Sequence, residues 1–423
     1  MKNQRFNQIA AVLLGSVAIS LPAIAADPAS GRAAPEKPWD VSLETDFRYV
    51  HWRSNRGTPS RFDLGSPGRG DQVYHPISAK FVWRPTADFR VDVLVRGGWA
   101  WGRQNSGGGL SGSVTSLTDT SLTGRVTYTG LGWVMPFAGV SVNLPTGDSV
   151  LSGRSAFARM DPDLVEIANY GSGTAVGPTL GALFVLGPST SLGVAVGHTF
   201  TSSYTRDSVA GFGLPNTRYS PADVTSYGVE FKHRYASWTF GAGALLVTSG
   251  NVKFDGVTAS RAGASITLTG SAAYDWNAAH RTTGTVSWGQ SSRNMRLDPF
   301  NALVREPFNS NSSTIRLGLA HDWKLNEQWT VGAHGSWFRR DNNAYLVTDL
   351  QYAPAKTKIT LGGSAKYRIN ERFTLNARAE HFWLRQHATP DWVVPGFGVI
   401  AGSAVPRVRA TGYLIAIGGS ANF

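Results

Sequence analysis

Cysteine is absent from all 423 residues, so neither a disulfide framework nor a thiolate metal site can hold this chain together. Charge is scarce, at 16% of residues, and acid scarcer than base, with 28 Asp and Glu against 40 Lys and Arg. Such a surplus of base would suit nucleic acid, but the first residues carry an export pattern that argues against that partner. Lys2 and Arg5 supply a positive start, Ile9 to Leu21 an apolar stretch, and Ala23-Ile24-Ala25 a small-x-small cleavage site. Residues 1–25 are therefore expected to be a signal peptide, with Ala26 opening the mature chain. Long apolar runs are also missing. Beyond the signal there is no stretch of about 18 apolar residues, so no helix is expected to span a membrane. A membrane-resident form would have to be a closed barrel, which pairs every backbone group within its own ladder.

What the chain does have is glycine and large aromatics, 48 Gly and 14 Trp among them, the composition of close-packed strands with interfacial anchors. Residues 26–38 read as a flexible periplasmic leader. From Trp39 the period is two: Trp39, Val41, Leu43, Phe47 and Tyr49 alternate with polar Ser42, Glu44, Asp46 and Arg48. One face suits hydrocarbon and the other water. The pattern returns at Phe89-Val91-Val93-Val95, at Tyr227-Val229-Phe231 and at Ile315-Leu317-Leu319.

Connections alternate in length. Short turns such as 84–88, 187–190, 236–237, 324–327 and 368–371 separate eight longer polar segments, near 53–75, 102–116, 146–175, 202–222, 247–262, 289–312, 339–355 and 385–407. Short periplasmic turns and long outer loops are the pattern of an outer-membrane barrel. Eight outer loops imply sixteen strands, with fourteen as the alternative. The expected fold is all-β: a closed antiparallel transmembrane β-barrel over 39–423. Aromatics flank the short turns, and a second set, Trp99, Tyr227, Trp337 and Trp383, lies eight to ten residues away on the same face. Ten residues at roughly 3.3 Å each, tilted about 40°, rise about 25 Å, the height of the apolar band. A soluble sandwich has no reason for two such girdles.

Two resemblances add to this. The terminus Tyr413-Leu414-Ile415-Ala416-Ile417-Gly418-Gly419-Ser420-Ala421-Asn422-Phe423 resembles the final strand of Gram-negative outer-membrane barrels, whose last aromatic is read by the barrel assembly machinery. That resemblance makes Phe423 the expected assembly signal. The segment ending Leu144-Pro145-Thr146-Gly147-Asp148, within about 125–185, is similar to the phenol-degradation-pathway outer-membrane transporters, which pass small organic molecules. With sixteen strands the chain also resembles the porins, in which the loop between strands five and six folds inward and narrows the pore. The resemblance puts that role on 146–175 and its acids Asp148, Asp161, Asp163 and Glu166.

Inward parity collects bases, including Arg48, Lys80, Arg84, Arg90, Arg96, Arg125, Lys232, Arg234, Arg316, Lys358, Lys366 and Arg378, with fewer acids, such as Asp46, Asp92, Glu230 and Glu380. In lipid, Arg or Lys would cost roughly 2–4 kcal/mol at the midplane, so these must line water or pair across the lumen. The expected pore-lining bases are Lys80, Arg96, Arg125, Arg316 and Arg378. The competing expectation is a closed, salt-bridged interior. Neither G-x-S-x-G nor H-E-x-x-H occurs, no Ser-His-Asp set can be assembled around His334, and Asp161-x-Asp163 with Glu166 lacks EF-hand spacing. The expectation is therefore a non-enzymatic channel with no cofactor and no metal, passing small polar or aromatic-acid solutes. The alternatives are a gated barrel for hydrophobic compounds and a barrel with an adhesive or lipid-modifying role. Expected partners are outer-membrane lipid and lipopolysaccharide, the assembly machinery and a small solute; self-association is left open.

Overall fold

The computed structural model describes residues 38–56, 67–105, 111–206, 217–298, 300–394, 398–401 and 404–423. The expected signal peptide, and all of the leader but Pro38, lie outside the described residues. The wall begins with β1 (Trp39–Ser54), β2 (Gly68–Thr86), β3 (Phe89–Asn105) and β4 (Ser111–Tyr128). It continues through β5 (Val134–Leu144), β6 (Ala175–Gly187), β7 (Thr190–Thr201) and β8 (Val224–Tyr235). Next come β9 (Trp238–Ser249), β10 (Ser265–Asp275), β11 (His280–Ser291) and β12 (Thr314–Lys324). The last four are β13 (Trp329–Arg340), β14 (Lys356–Arg368), β15 (Phe373–Gln386) and β16 (Val408–Asn422). Each pairs antiparallel with the next, and β16 returns to β1 with Ser42 opposite Asn422 and Ser54 opposite Ala410. Sixteen strands close the barrel, as the loop spacing implied.

Facing follows the alternation. Leu43, Phe47, Val95, Leu317, Leu319, Ile415 and Ile417 stand exposed on the outside, while Arg48, Asp92 and Glu380 turn inward. The girdles also form. Phe89 packs on Tyr128, Trp238 on Tyr274 and Trp329 on Tyr367, with centroids 5.1, 4.7 and 4.7 Å apart. At the far end of the apolar band Trp99, Tyr227 and Trp383 are exposed. Among the described residues no helix is long and apolar enough to cross a membrane.

Three of the short turns share one device. Asn277, Asn326 and Asn370 each accept two backbone N–H groups with Oδ1, from Ala279 and His280, from Gln328 and Trp329, and from Arg372 and Phe373. An asparagine side chain thereby replaces the backbone acceptor that a tight turn lacks. The turn Ala236-Ser237 is built differently: Ala236 has φ 49°, a left-handed conformation in a non-glycine residue.

The outer ends depart from the expected boundaries. Strand β2 begins at Gly68, and β3 and β4 reach Asn105 and Ser111, well into segments whose polarity suggested loops. Beyond the hydrocarbon a strand needs no apolar outer face, so polarity there does not separate strand from loop. Over the β7–β12 side, six short strands form a second sheet, in the order Leu303–Arg305, Met295–Leu297, Val257–Arg261, Asn251–Phe254, Thr217–Ser220, Tyr204–Arg206.

Candidate functional site

The β5–β6 connection, 145–174, enters the lumen, and its neck is held by one carboxylate. Strand β4 carries an extra residue relative to β3, the register slipping between Arg96–Ser121 and Gly98–Thr118. Such a bulge re-aims a side chain, here Asp119. Its Oδ1 accepts the Gly147 N–H at 3.1 Å. Its Oδ2 accepts the Ser172 N–H at 2.7 Å, the Ser172 hydroxyl at 2.8 Å and the Asn143 amide at 2.8 Å. The Asp119 N–H donates to the Tyr170 carbonyl at 3.0 Å. Both ends of the loop thus close on one residue. A Cβ at Gly147 would collide with the Tyr170 carbonyl, and one at Gly171 with the Gly147 carbonyl, so glycine is required where the two limbs cross. The Pro145-Thr146-Gly147 stretch noted in the sequence is this crossing.

The underside of the loop is apolar and covers an apolar patch on the wall. Met160 and Leu164 join Val50 and Trp52 of β1, Phe382 and Leu384 of β15, and Ala410, Leu414 and Ala416 of β16 in one buried cluster. Leu151, Ala158 and Tyr170 pack with Ala100 of β3 and Val114 of β4 in a second. Trp52 has no exposed surface and donates its indole N–H to Met160 Sδ at 3.3 Å. Gln72 of β2, equally buried, works on the loop backbone. It donates to the Ile167 carbonyl at 2.6 Å and accepts the Glu166 and Ile167 N–H groups at 3.0 and 3.1 Å.

The polar edge of the loop is tied by charge. Lys356 of β14, 3% exposed, places Nζ 2.9 Å from Asp161 and 2.8 Å from Asp163. Lys358 donates to the Asp163 carbonyl at 2.7 Å, and Arg48 pairs with Glu166 at 2.8 Å. Burial alone would raise the Asp163 carboxyl, but the Lys356 ammonium and its hydrogen bond, with Arg340 and Lys358 beyond, outweigh that and hold it below the usual carboxylate range. The cation between Asp161 and Asp163 is thus a lysine, and no group of three or more His, Asp or Glu among the described residues is placed for a metal.

The acids singled out in the sequence therefore separate. Asp161, Asp163 and Glu166 meet wall cations, whereas Asp148 is exposed at the start of the loop, its N–H donating to Ser116 Oγ at 3.0 Å. The five bases separate as well. Arg125 bonds Asp92 at 3.1 Å and lies 5.6 Å over the Phe137 ring. Arg378 reaches Glu380 at 3.5 Å, which also meets His334 at 2.9 Å. Lys80, Arg96 and Arg316 are exposed on the inner face, Arg316 over Phe338 at 4.5 Å. Phe423 packs on Phe373 at 6.1 Å and exchanges backbone hydrogen bonds with Val41. Sequence reasoning missed Asp119, Gln72 and Lys356, and also the apolar inner patch. The one available signal was Val50, Trp52, Phe382 and Leu384 appearing on the parity reserved for polar residues.

Beside the loop remains a cavity of about 820 Å³, whose lining includes Arg48, Tyr74, Arg96, Arg125, Phe137 and Tyr170. Tyr204, Tyr219 and Arg296 of the second sheet reach it from the outer side.

The model of a family described as "Putative outer membrane beta-barrel porin, MtrB/PioB" matches residues 223–382, under half of the chain. No curated protein sequence matches. Among solved structures, an outer membrane channel from Pseudomonas putida F1 is 14% identical, covering 61% of this chain and 90% of its own, with a TM-score of 0.40. A Pseudomonas aeruginosa FadL homologue is 11% identical over 91% and 90%, with a TM-score of 0.45. An anion-selective porin from Comamonas acidovorans is 9% identical over 91% and 100%, at 0.40. The chain is a closed sixteen-stranded β-barrel integral to the outer membrane, and its residues 223–382 are similar to that porin family.

Proposed function

We propose that the barrel is a passive channel for small polar solutes, favouring anions and aromatic acids, with the inward 145–174 loop as its constriction. The observation that carries this is Arg96. It stands exposed on the wall of the cavity with Tyr74 and Phe137 also in the lining, and no carboxylate among the described residues lies within ion-pair distance of it. Lys80 and Arg316 share that condition on the same inner face. An uncompensated guanidinium in a narrow, low-dielectric passage attracts a carboxylate and repels cations, and the nearby rings suit an aromatic body. The loop acids do not stand free against this field, because Asp161, Asp163 and Glu166 each face wall cations, Lys356 and Lys358 on one side and Arg48 on the other. Diffusion down a gradient needs no catalytic group or cofactor. Phe423 is, in the same proposal, the residue read by the assembly machinery.

The test is single-channel conductance of the refolded protein in a planar bilayer, with reversal potential measured in a salt gradient. Step-like currents with anion preference are expected, reduced in an Arg96→Ala/Arg316→Ala variant, together with benzoate flux faster than that of a neutral sugar of similar size. Silence from folded, heat-modifiable protein, or selectivity unchanged by the double substitution, would sink the proposal.

A further inference from the structure

Four arginines stand on the outside of the wall at its extracellular end, on four consecutive strands: Arg385 of β15, Arg409 of β16, Arg53 of β1 and Arg69 of β2. All are exposed, and their registers place Arg53 directly opposite Arg69 and Arg385 directly opposite Arg409. Like charges directly opposite on neighbouring strands destabilise a sheet, and two such pairs side by side call for an anion between them. Arg53 faces Thr411 across the β1–β16 seam, and the small threonine leaves the space between the pairs open. Arg53, Arg69, Trp383, Arg385, Arg409 and Thr411 all line one groove of about 530 Å³.

The acids nearby do not fill it. Asp71, two residues down the outer face from Arg69, is taken by the Tyr49 hydroxyl at 2.7 Å and His51 Nδ1 at 2.8 Å. No carboxylate among the described residues is within ion-pair distance of the four arginines. Arg339, on the same outer rim of β13, differs in having Asp341 at 2.7 Å.

Height decides the class of ligand. Arg385 lies two residues beyond Trp383 on the same face, about 6–7 Å further out along the strand. Trp383 and Trp99 belong to the outer aromatic girdle, which marks the edge of hydrocarbon. The arginines are therefore at the level of lipid phosphates, where basic side chains gain most from anionic headgroups, and a planar guanidinium grips phosphate in two-point fashion. We infer that this groove binds the phosphates of a phosphorylated glycolipid of the outer leaflet, its acyl chains lying down the apolar wall past Trp383 and Tyr413. The binding energy then also relieves the repulsion within the two arginine pairs.

The probe is purified bis-phosphorylated lipid A, titrated into the full-length refolded barrel in detergent and followed by native mass spectrometry. One retained lipid A is expected, bound at least tenfold more tightly than the same lipid with its phosphates removed. That preference should be lost in Arg385→Gln/Arg409→Gln and in Arg53→Gln/Arg69→Gln, and kept in Arg339→Gln. Heat-modifiable migration identifies folded variants, and the comparison of the two lipids on unmodified protein needs none of them. Equal affinity for both lipids would overturn the inference, as would Gln variants that retain the preference. Displacement of lipid A by millimolar inorganic phosphate would likewise overturn the assignment to a lipid, because it would mark a site for the free ion.

Discussion

Lys356→Met is the substitution that reports most directly on how the inward loop is held. Lys356 is 3% exposed between Asp161 and Asp163, so removing its ammonium leaves two carboxylates facing each other without the cation that bridges them. Breaking a buried pair from one side costs about 3–5 kcal/mol. The carboxylates keep 13% and 18% of their surface in water, which places the cost near the lower end, about 3 kcal/mol. At about 1.4 kcal/mol per tenfold, the loop should open on the order of 10²-fold more often. The absence of native cysteine makes the assay clean. Met160, 5% exposed beneath the loop, is replaced by cysteine, and thiol-modification rates are compared with and without Lys356→Met. Each rate is normalised to a Glu327→Cys control in an exposed turn. The pH dependence has opposite signs in the two proteins. With Lys356 present, Asp163 sits below its unfolded value of about 3.9. Its contribution is therefore full above that pH and lost as pH falls through the lower folded value, so protection should fail only below about pH 4. Without Lys356 the facing carboxylates repel, and mild acid should restore protection by neutralising one of them. Rates within twofold of each other at neutral pH would refute the idea that this ion pair holds the loop.

Three further predictions concern the wall. Arg placed at Val93 or Leu317, both lipid-facing, should lower refolding by about 2–4 kcal/mol. Arg at Thr127, on the inner face, should still fold, as judged by heat-modifiable migration in lipid vesicles; equal yields would overturn the facing. Asp119→Ala removes the acceptor for four donors at the neck and should accelerate thiol modification in the Met160→Cys background, whereas Asp119→Asn, able to accept only part of that set, should fall between. Ala236→Gly relieves a left-handed residue in the β8–β9 turn and should raise the urea midpoint, by about 1 kcal/mol of stability; a lower midpoint would show that the turn is not strained.

The wall was legible because two constraints, the pleat and the lipid, act on the same residues. Alternation in β1, β3, β8, β12 and β16 fixed facing, and two of the three Asn turns, 324–327 and 368–371, were legible as short connections, whereas the one at Asn277 was not singled out. The site was legible only in outline. Loop position came from strand order, but the partner of each loop acid did not, since Asp161 and Lys356 lie 195 residues apart and nothing local links them. Asp119 was hidden for a different reason. A single extra residue in β4 reverses parity for the outer half of that strand, so a two-residue period extrapolated along β4 misassigns one half of it. The apolar inner patch violates the polar-inside rule itself, because that rule presumes a lumen filled by water, and here part of it is filled by chain.

The location of that patch links loop docking to barrel closure. Val50 and Trp52 come from the first strand, Leu384 and Ala410 from the last two, and these become one surface only when β16 pairs with β1. Before closure each half presents an exposed apolar stripe facing what will be the lumen, and Met160 and Leu164 have no complete surface to dock on. Complete docking of the loop therefore requires the closed seam, and there it adds buried apolar contact across the one strand pair whose members are farthest apart in sequence. Weakening the docked face should accordingly act on the seam as well as on the pore. Leu164→Ala, by leaving a cavity under the loop at about 2–5 kcal/mol, should increase hydrogen exchange of the β1–β16 ladder amides while leaving the β9–β10 ladder unchanged. Exchange rising equally in both ladders would mean that the loop is a passenger in a barrel that closes without it.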